Sequence, residues 1–336
     1  MNLLITGAAG FIGSNFVRMV LDAHPNDTVV NLDALTYAGN LDSLSDVSDN
    51  PRYTFVRGDV ADRTLVDGVM SEHRITGVIN FAAESHVDRS ILEPEVFVTT
   101  NVLGTQNLLF LARAHGVERF VQISTDEVYG SLGVEGKFRE DTPLAPNSPY
   151  SAAKASADLL CRAYFKTFGF PVLVTRCSNN YGPFQFPEKL IPLMIINALS
   201  DKPLPVYGDG KNVRDWIYVE DHCRAIDRVF RDGTPGEVYN IGADCEQTNI
   251  DIVRRILRAL DKGDELIRFV KDRPGHDRRY AIDSTRITTE LGWRATVDFD
   301  EGLRRTVTWY LEHRAWWEKV LTGAYREMAD RIYGEK

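Results

Sequence analysis

The chain has 336 residues, of which 43% are apolar and 26% charged, and a formal net charge of −9. That length supports one large α/β domain, or two domains sharing an interface, and rules out a peptide-sized binding module. The acidic balance excludes a general affinity for nucleic acid or an anionic membrane, so an anionic ligand requires a local basic pocket.

The first elements predicted lie in LLITGAAGFIGSNFVRMVLDAH: a strand over 3–6, then Gly7, Gly10 and Gly13 at G-x-x-G-x-x-G spacing, then an amphipathic helix. Glycines there let the backbone turn tightly and approach a pyrophosphate, whose charge rests on the unpaired N–H groups at the helix start. An ordinary strand-to-helix turn is the plainer reading. The second strand, TVVNL (28–32), ends at Asp33, twenty residues beyond Gly13. A dinucleotide fold places there the acid that hydrogen-bonds the adenosine ribose. A carboxylate repels a 2′-phosphate and no arginine follows immediately, which favours NAD over NADP. After the third strand, YTFV (53–56), Asp59 is either a neighbour of the adenine or a turn-forming residue.

Further strands are predicted at GVINFA (77–82), RFVQIS (119–124) and PVLVTR (171–176). Continuous apolar runs separated by helix-length segments mean parallel strands buried on both faces, an α/β doubly wound sheet that binds ligands at its carboxyl edge. Beyond about residue 178 the pattern changes to Pro-rich and Arg-rich loops between shorter helices. We expect a Rossmann-type domain over 1–178 and a smaller α/β substrate-binding domain over 179–336, with about 215–242, including a strand at VYNIG (238–242), returning to the first.

The reactive candidates follow the fifth strand. FVQIS runs into Thr125, Asp126 and Glu127, and PYSAAKASADLLCRAYFKTF (149–168) reads as a helix with Tyr150 and Lys154 one turn apart on one face. Tyrosine is a poor base, with a pKa of about 10. A lysine ammonium about 4 Å away in a half-buried site contributes roughly 4 kcal/mol towards the phenolate. Tyr150 could then take a proton from a substrate hydroxyl that Thr125 holds, while hydride leaves for NAD. Helix packing for Tyr150 and a solvated Lys154 are the alternative.

The glycine-rich start, the Y-x-x-x-K helix and Ser124-Thr125 before it resemble the extended short-chain dehydrogenase/reductase superfamily, whose members mostly rework nucleotide sugars. Within it, STDEVYG (124–130), AAESHVDRS (82–90), SNNYGPFQFPEKLIP (178–192), RDWIYVEDH (214–222) and RPGHDRRYAID (273–283) closely resemble the dTDP-glucose 4,6-dehydratases. The likeness spans almost the whole chain. Ala8 departs from it, standing where a second glycine is expected; alanine fits unless the turn needs a positive φ there.

The resemblance implies a hydro-lyase that oxidises carbon 4 of the sugar, eliminates water across carbons 5 and 6, and returns the hydride to carbon 6. The transient ketone acidifies carbon 5, which no side-chain base could otherwise deprotonate. An acid and a base of opposite protonation are then wanted side by side. By resemblance Asp126 is the acid for oxygen 6 and Glu127 the base at carbon 5, and the juxtaposed charges help keep one of them protonated. Related epimerases generally lack this pair.

The resemblance further implies a tightly held NAD, regenerated each turnover. Its contacts would include Phe11 and Ile12 on the first helix, and Ala34, Leu35 and Thr36 after Asp33. Val60, Phe81, Ala82, Ala83, Ser85, Thr100, Tyr150, Lys154 and Asn180 would complete them. The substrate would meet Ser85, Thr125, Asn179, Lys189, Leu190, Pro205, Tyr207, Arg214, Asn249, Arg273, His276 and Tyr280. Guanidinium forks suit its diphosphate, although RPGHDRRY could instead be a solvated loop paired with its own aspartates.

His86 and His222 lack metal-type spacing and read as structural, and no metal is expected. Loop 131–141 is assigned no chemistry. The four cysteines are too sparse for a disulfide scaffold. With no basic start and no apolar run long enough to span a bilayer, they suggest a cytoplasmic enzyme. The family likeness implies a homodimer joined through the helices near 96–115 and 150–168. Two rival readings stay open: another NAD-dependent nucleotide-sugar epimerase, decarboxylase or dehydratase, or a catalytically inactive NAD-sensing protein.

Overall fold

The computed structural model describes residues 1–272 and 276–321. In chain order the first half runs β1 (Asn2–Thr6), α1 (Phe11–Ala23), β2 (Thr28–Asp33), β3 (Tyr53–Arg57), α2 (Arg63–Glu72), β4 (Gly77–Asn80), α3 (Val87–Leu92) and α4 (Pro94–Phe97). A π-helical turn over Val98–Gly104 leads into α5 (Thr105–Ala114), then β5 (Arg119–Thr125), a 3-10 turn over Asp126–Tyr129, α6 (Pro149–Phe168) and β6 (Val172–Cys177). The six strands read from the sequence are all present. β4 is shorter than expected because its pairing with β1 ends at the Phe81 N–H bond to the Thr6 carbonyl at 3.1 Å, and the next N–H, of Ala82, donates instead to the Thr6 hydroxyl at 3.3 Å.

The second half runs β7 (Asn179–Tyr181), α7 (Leu190–Leu199), β8 (Leu204–Tyr207), β9 (Val213–Tyr218), α8 (Val219–Asp232), β10 (Val238–Ile241) and β11 (Glu246–Thr248). It closes with α9 (Asn249–Ala259), β12 (Ile267–Val270), α10 (Thr285–Leu291), α11 (Phe299–Glu312) and α12 (Arg314–Val320).

Seven strands form one parallel sheet in the order β10-β6-β5-β4-β1-β2-β3. Its inner strands are buried along nearly their whole length because both faces are covered. On one face, Phe16, Val17 and Val20 of α1 pack with Ile226, Val229 and Phe230 of α8 and with Ile287 and Leu291 of α10. On the other, Val66 and Val69 of α2 join Leu108 and Leu109 of α5 and Cys161 and Tyr164 of α6. A separate core under β7, β9 and β11 gathers Tyr181, Trp216, Ile195, Ile252 and Tyr310. Residues 219–241 and 285–293 thus lie against the large sheet, whereas β8 pairs with β12 away from it. The order reverses between β1 and β4, which opens a crevice at the carboxyl edge. Among the described residues, no helix is long and apolar enough to cross a membrane, and all four cysteines are free.

Candidate active site

The crevice is lined first by the turn from β1 into α1. Gly7 adopts φ +68°, and a Cβ built on it would lie 2.7 Å from the Ala82 Cα; one on Gly13 would lie 2.6 Å from the Ala8 Cα. The backbone passes so close that side chains cannot be admitted. Ala8 does not adopt a positive φ, so alanine is accommodated where the family pattern prefers glycine. The α1 N-terminus has no side-chain cap and no acid in its first turn, which leaves its leading N–H groups for an anion.

Asp33 closes the adjoining side. One carboxylate oxygen accepts from the Ala9 N–H at 2.9 Å and the other from the Leu35 N–H at 2.8 Å, fixing the acid at the end of β2. Burial pushes its pKa up, partly offset by those two bonds. Asp59 lines the cleft and also accepts from the Ala61 N–H at 2.8 Å, the bond expected of a turn-forming aspartate. Phe11, Ile12, Ala34, Thr36, Val60 and Thr100 line it as well, as do Phe81, Ala82, Ala83, Ser85 and Asn180. Thr100 sits in the π turn, a helical irregularity often found at functional sites. Leu35 is not part of the cleft lining, and its backbone N–H holds Asp33. These residues fit a dinucleotide with free ribose hydroxyls: a cradle that side chains would fill, open helix N–H groups and a fixed carboxylate.

The candidate reactive side chains come from two elements. α6 starts with Ser148 and Ser151 in a reciprocal capping box and Pro149 in its first turn, and it stops at Gly169 with φ +66°. This sharp start places Tyr150 and Lys154 on the cleft wall. β5 ends at Thr125, whose hydroxyl accepts from the Glu127 N–H at 3.2 Å and so turns the chain. Thr125 and Glu127 line the cleft, whereas Asp126 is buried beside it with 2% exposure. The Thr125 hydroxyl lies 3.3 Å from one Asp126 oxygen; the other oxygen has no hydrogen-bond partner. Burial pushes the Asp126 pKa well above the carboxylate range, and the nearby Glu127 and Asp215 push it further. Like-charge repulsion was expected to keep one acid protonated; desolvation is the larger cause.

The expected effect of Lys154 on Tyr150 is corrected. The Tyr150 phenol is pushed well above its ordinary value, by burial first and then by Glu127. Lys154 donates to the Ile123 carbonyl at 2.5 Å and is not among the main influences on the phenol. Its own pKa is lowered by burial, with Asp158 the leading opposing influence. In a desolvated wall lined by carboxyl groups, one ammonium turned to a carbonyl does not reverse the cost of a phenolate.

Of the expected substrate contacts, Ser85, Thr125, Asn179 and Lys189 line the cleft, with Lys189 donating to the Ser85 carbonyl at 3.1 Å. Leu190, Pro205, Tyr207, Arg214, Asn249, His276 and Tyr280 do not line it. Apart from Leu190, which opens α7, they belong to a neighbouring group around β8 and β9. There the Arg214 guanidinium lies 4.3 Å from the Tyr280 ring centre and donates to the Asp277 carbonyl at 2.9 Å, and Tyr207 meets His276 edge-on. The group adjoins the acid turn, since Glu127 acts on Tyr280 and Arg214 on Asp126. Arg273 lies outside the described residues. In RPGHDRRY, Arg278 pairs with Asp209 at 2.8 Å and Arg279 with Glu246 at 2.6 Å, so both guanidinium groups are engaged by acids outside the loop rather than by its own aspartates.

His86 caps α3, and His222 is wholly buried against Asn180 at 2.8 Å, with its pKa lowered to about 3 by burial. Sequence reasoning missed Gln185, Phe186 and Glu188, which close the cleft from the second half. They lie in an irregular segment before α7, where no periodicity exposes a cleft-facing position; the phrase FQFPEK was the only available signal.

A doubly wound sheet, a glycine cradle with a ribose-type acid and a Tyr–Lys helix facing a hydroxyl together define an extended short-chain dehydrogenase/reductase. A sequence profile for the GDP-mannose 4,6 dehydratase family matches residues 4–306, and the chain belongs to that family. It is 52% identical over 345 residues to the dTDP-glucose 4,6-dehydratase of Neisseria meningitidis serogroup B, covering 96% of this chain and 97% of that one. The structure of DesIV, a dTDP-glucose 4,6-dehydratase from Streptomyces venezuelae with NAD bound, superposes with a TM-score of 0.93 at 51% identity, covering 95% of this chain and 100% of that one. A UDP-glucose 4-epimerase from Thermotoga maritima reaches a TM-score of 0.87 at 29% identity, covering 93% and 99%. The fold is therefore shared with epimerases, and the site has to separate the two activities.

Proposed function

We propose that this chain converts dTDP-glucose to dTDP-4-keto-6-deoxyglucose and water, with NAD as a resident cofactor. The observation that carries the reading is the turn after β5, where a buried Asp126, its pKa pushed up chiefly by burial, adjoins a cleft-facing Glu127. An epimerase has no use for such a pair, because it forms and reduces a ketone without breaking a bond at carbon 6. Bound NAD would accept the hydride from carbon 4 and return it to carbon 6, and its positive ring would favour the Tyr150 phenolate.

The remaining steps belong to the chain. Tyr150 takes the proton from the carbon-4 hydroxyl while Thr125 holds that hydroxyl by a hydrogen bond. Glu127 then removes the proton from carbon 5, acidified by the adjacent ketone, and Asp126 protonates the departing oxygen 6. Ser85, Asn179 and Lys189 hold the substrate within the cleft. The Arg214 group, with Tyr207, Asn249, His276 and Tyr280, receives the nucleotide diphosphate, the Arg214 guanidinium meeting its oxygens.

The test uses dTDP-glucose deuterated at carbon 4 and no added cofactor. The expected product is a 4-keto-6-deoxy sugar carrying that deuterium at carbon 6. Label released to solvent or to free reduced cofactor refutes the proposal. An inert, NAD-binding protein would return the substrate unchanged.

Residues 1–178, together with the returning strand β10 and helix α8, are read as the cofactor unit and the rest as the substrate unit. We also propose a cytoplasmic homodimer. Four free cysteines suit a reducing compartment. Val98 and Leu103 on the π turn, Phe110 on α5, and Leu159 and Phe168 on α6 are exposed apolar side chains on two helices that pack side by side. A second copy presenting the same helices would cover them in an isologous contact.

A further inference from the structure

The two elements that carry the reactive groups are joined behind the cleft by a buried polar chain. Tyr129 ends the turn that bears Asp126 and Glu127. Its hydroxyl accepts from the Arg176 Nη1 at 2.9 Å and donates to the Asn240 Oδ1 at 2.8 Å. The Arg176 Nε donates to Asp158 at 2.8 Å, and both side chains of that ion pair are at most 6% exposed. Asp158 lies on α6, one helical turn after Lys154 and two after Tyr150, so all three share a face. Its second oxygen has no hydrogen-bond partner, and Asp158 is the group that chiefly favours the charged form of Lys154.

A buried ion pair is often no more stabilising than well-packed apolar side chains of the same volume, so its presence between two catalytic elements asks for a geometric role. A guanidinium is suited to that role, because its rigid fork bonds a carboxylate and a hydroxyl at a fixed angle. We propose that Tyr129, Arg176 and Asp158 are positioning residues that set the acid–base turn after β5 against the Tyr150–Lys154 helix. They thereby align the elimination with the oxidation that precedes it. This rests on the dehydration proposed above, in which the two steps use groups from different elements.

The experiment is Tyr129→Phe, which keeps the ring stacked on Phe138 at 5.0 Å and removes only the hydroxyl. Two single-turnover signals are followed with dTDP-glucose: reduction of the bound nicotinamide, and exchange of the carbon-5 hydrogen with deuterated solvent. We expect the first to stay near wild type and the second to fall about tenfold, the order of one lost charge-assisted hydrogen bond, with KM unchanged. Arg176→Lys keeps the charge opposite Asp158 but cannot hold both partners, so it should show the same selective loss. The double variant should be no slower than either single one. Signals that fall together, signals that both stay at wild type, or additive losses overturn the inference. Failure of the dehydration itself is separate: a wild-type protein that makes no 4-keto-6-deoxy product sinks the proposed function, whatever Tyr129→Phe does.

Discussion

Gly7→Ala tests the cradle most directly. At φ +68° a non-glycine residue costs about 1–2 kcal/mol. The new methyl group would also stand 2.7 Å from both the Ala82 Cα and N and 2.9 Å from the Phe81 carbonyl carbon, roughly 1 Å inside van der Waals contact. The Phe81 N–H bond to the Thr6 carbonyl at 3.1 Å and the Ala82 N–H bond to the Thr6 hydroxyl at 3.3 Å hold the two segments together, so opening the gap adds about 1–3 kcal/mol of overpacking. Destabilisation of roughly 2–5 kcal/mol is expected by urea denaturation of the cofactor-free protein. Because the same turn forms the anion cradle, NAD carried through purification, read by absorbance after acid release, should fall sharply. Gly68→Ala serves as the counter-case. Gly68 lies inside α2, where an added Cβ would meet nothing within 4 Å beyond its own stretch of helix backbone, and the change should stabilise by about 0.5–1 kcal/mol. A Gly7→Ala protein that unfolds at the wild-type midpoint and retains its NAD would refute the reasoning.

Glu127→Gln should leave reduction of bound NAD intact and abolish solvent exchange at carbon 5. Asp126→Asn should retain that exchange yet slow water loss by about 10²–10⁴-fold, measured by rapid quench. His222 sets a pH dependence: its folded pKa is about 3, against an ordinary 6.5, so the unfolded chain takes up a proton first as the solution is acidified. Stability should therefore fall as pH drops from about 6.5 towards 3, and His222→Gln should flatten that part of the profile in thermal melts. Leu103→Glu combined with Leu159→Glu should convert a dimer to a monomer in sedimentation velocity; a monomeric wild type would dismiss the proposed contact.

The chain order of strands, the glycine turn, Asp33 and the α6 boundaries were legible because each rests on local chemistry. Apolar runs of four to seven residues, a φ that only glycine accepts easily, and Ser148-Pro149 before a helix all carry their signal within a few positions. The adjacency of Asp126 and Glu127 is equally a property of the sequence, as is the one-turn spacing of Tyr150 and Lys154. Their ionisation is not. Whether Asp126 keeps its proton, and whether Lys154 reaches the phenol or the Ile123 carbonyl, depends on desolvation and on groups as distant in sequence as Asp215.

Periodicity and spacing act over one turn or one strand, which is why the doubly wound sheet, the dinucleotide cradle and the candidate reactive side chains could be read from local patterns. Packing settles the rest: which carboxyl is sealed from water, how Gln185, Phe186 and Glu188 close the cleft, and how Arg176 ties β6 to α6 and to the acid turn. Those outcomes follow from burial and from contacts between residues far apart along the chain, and neither quantity exists until the elements pack.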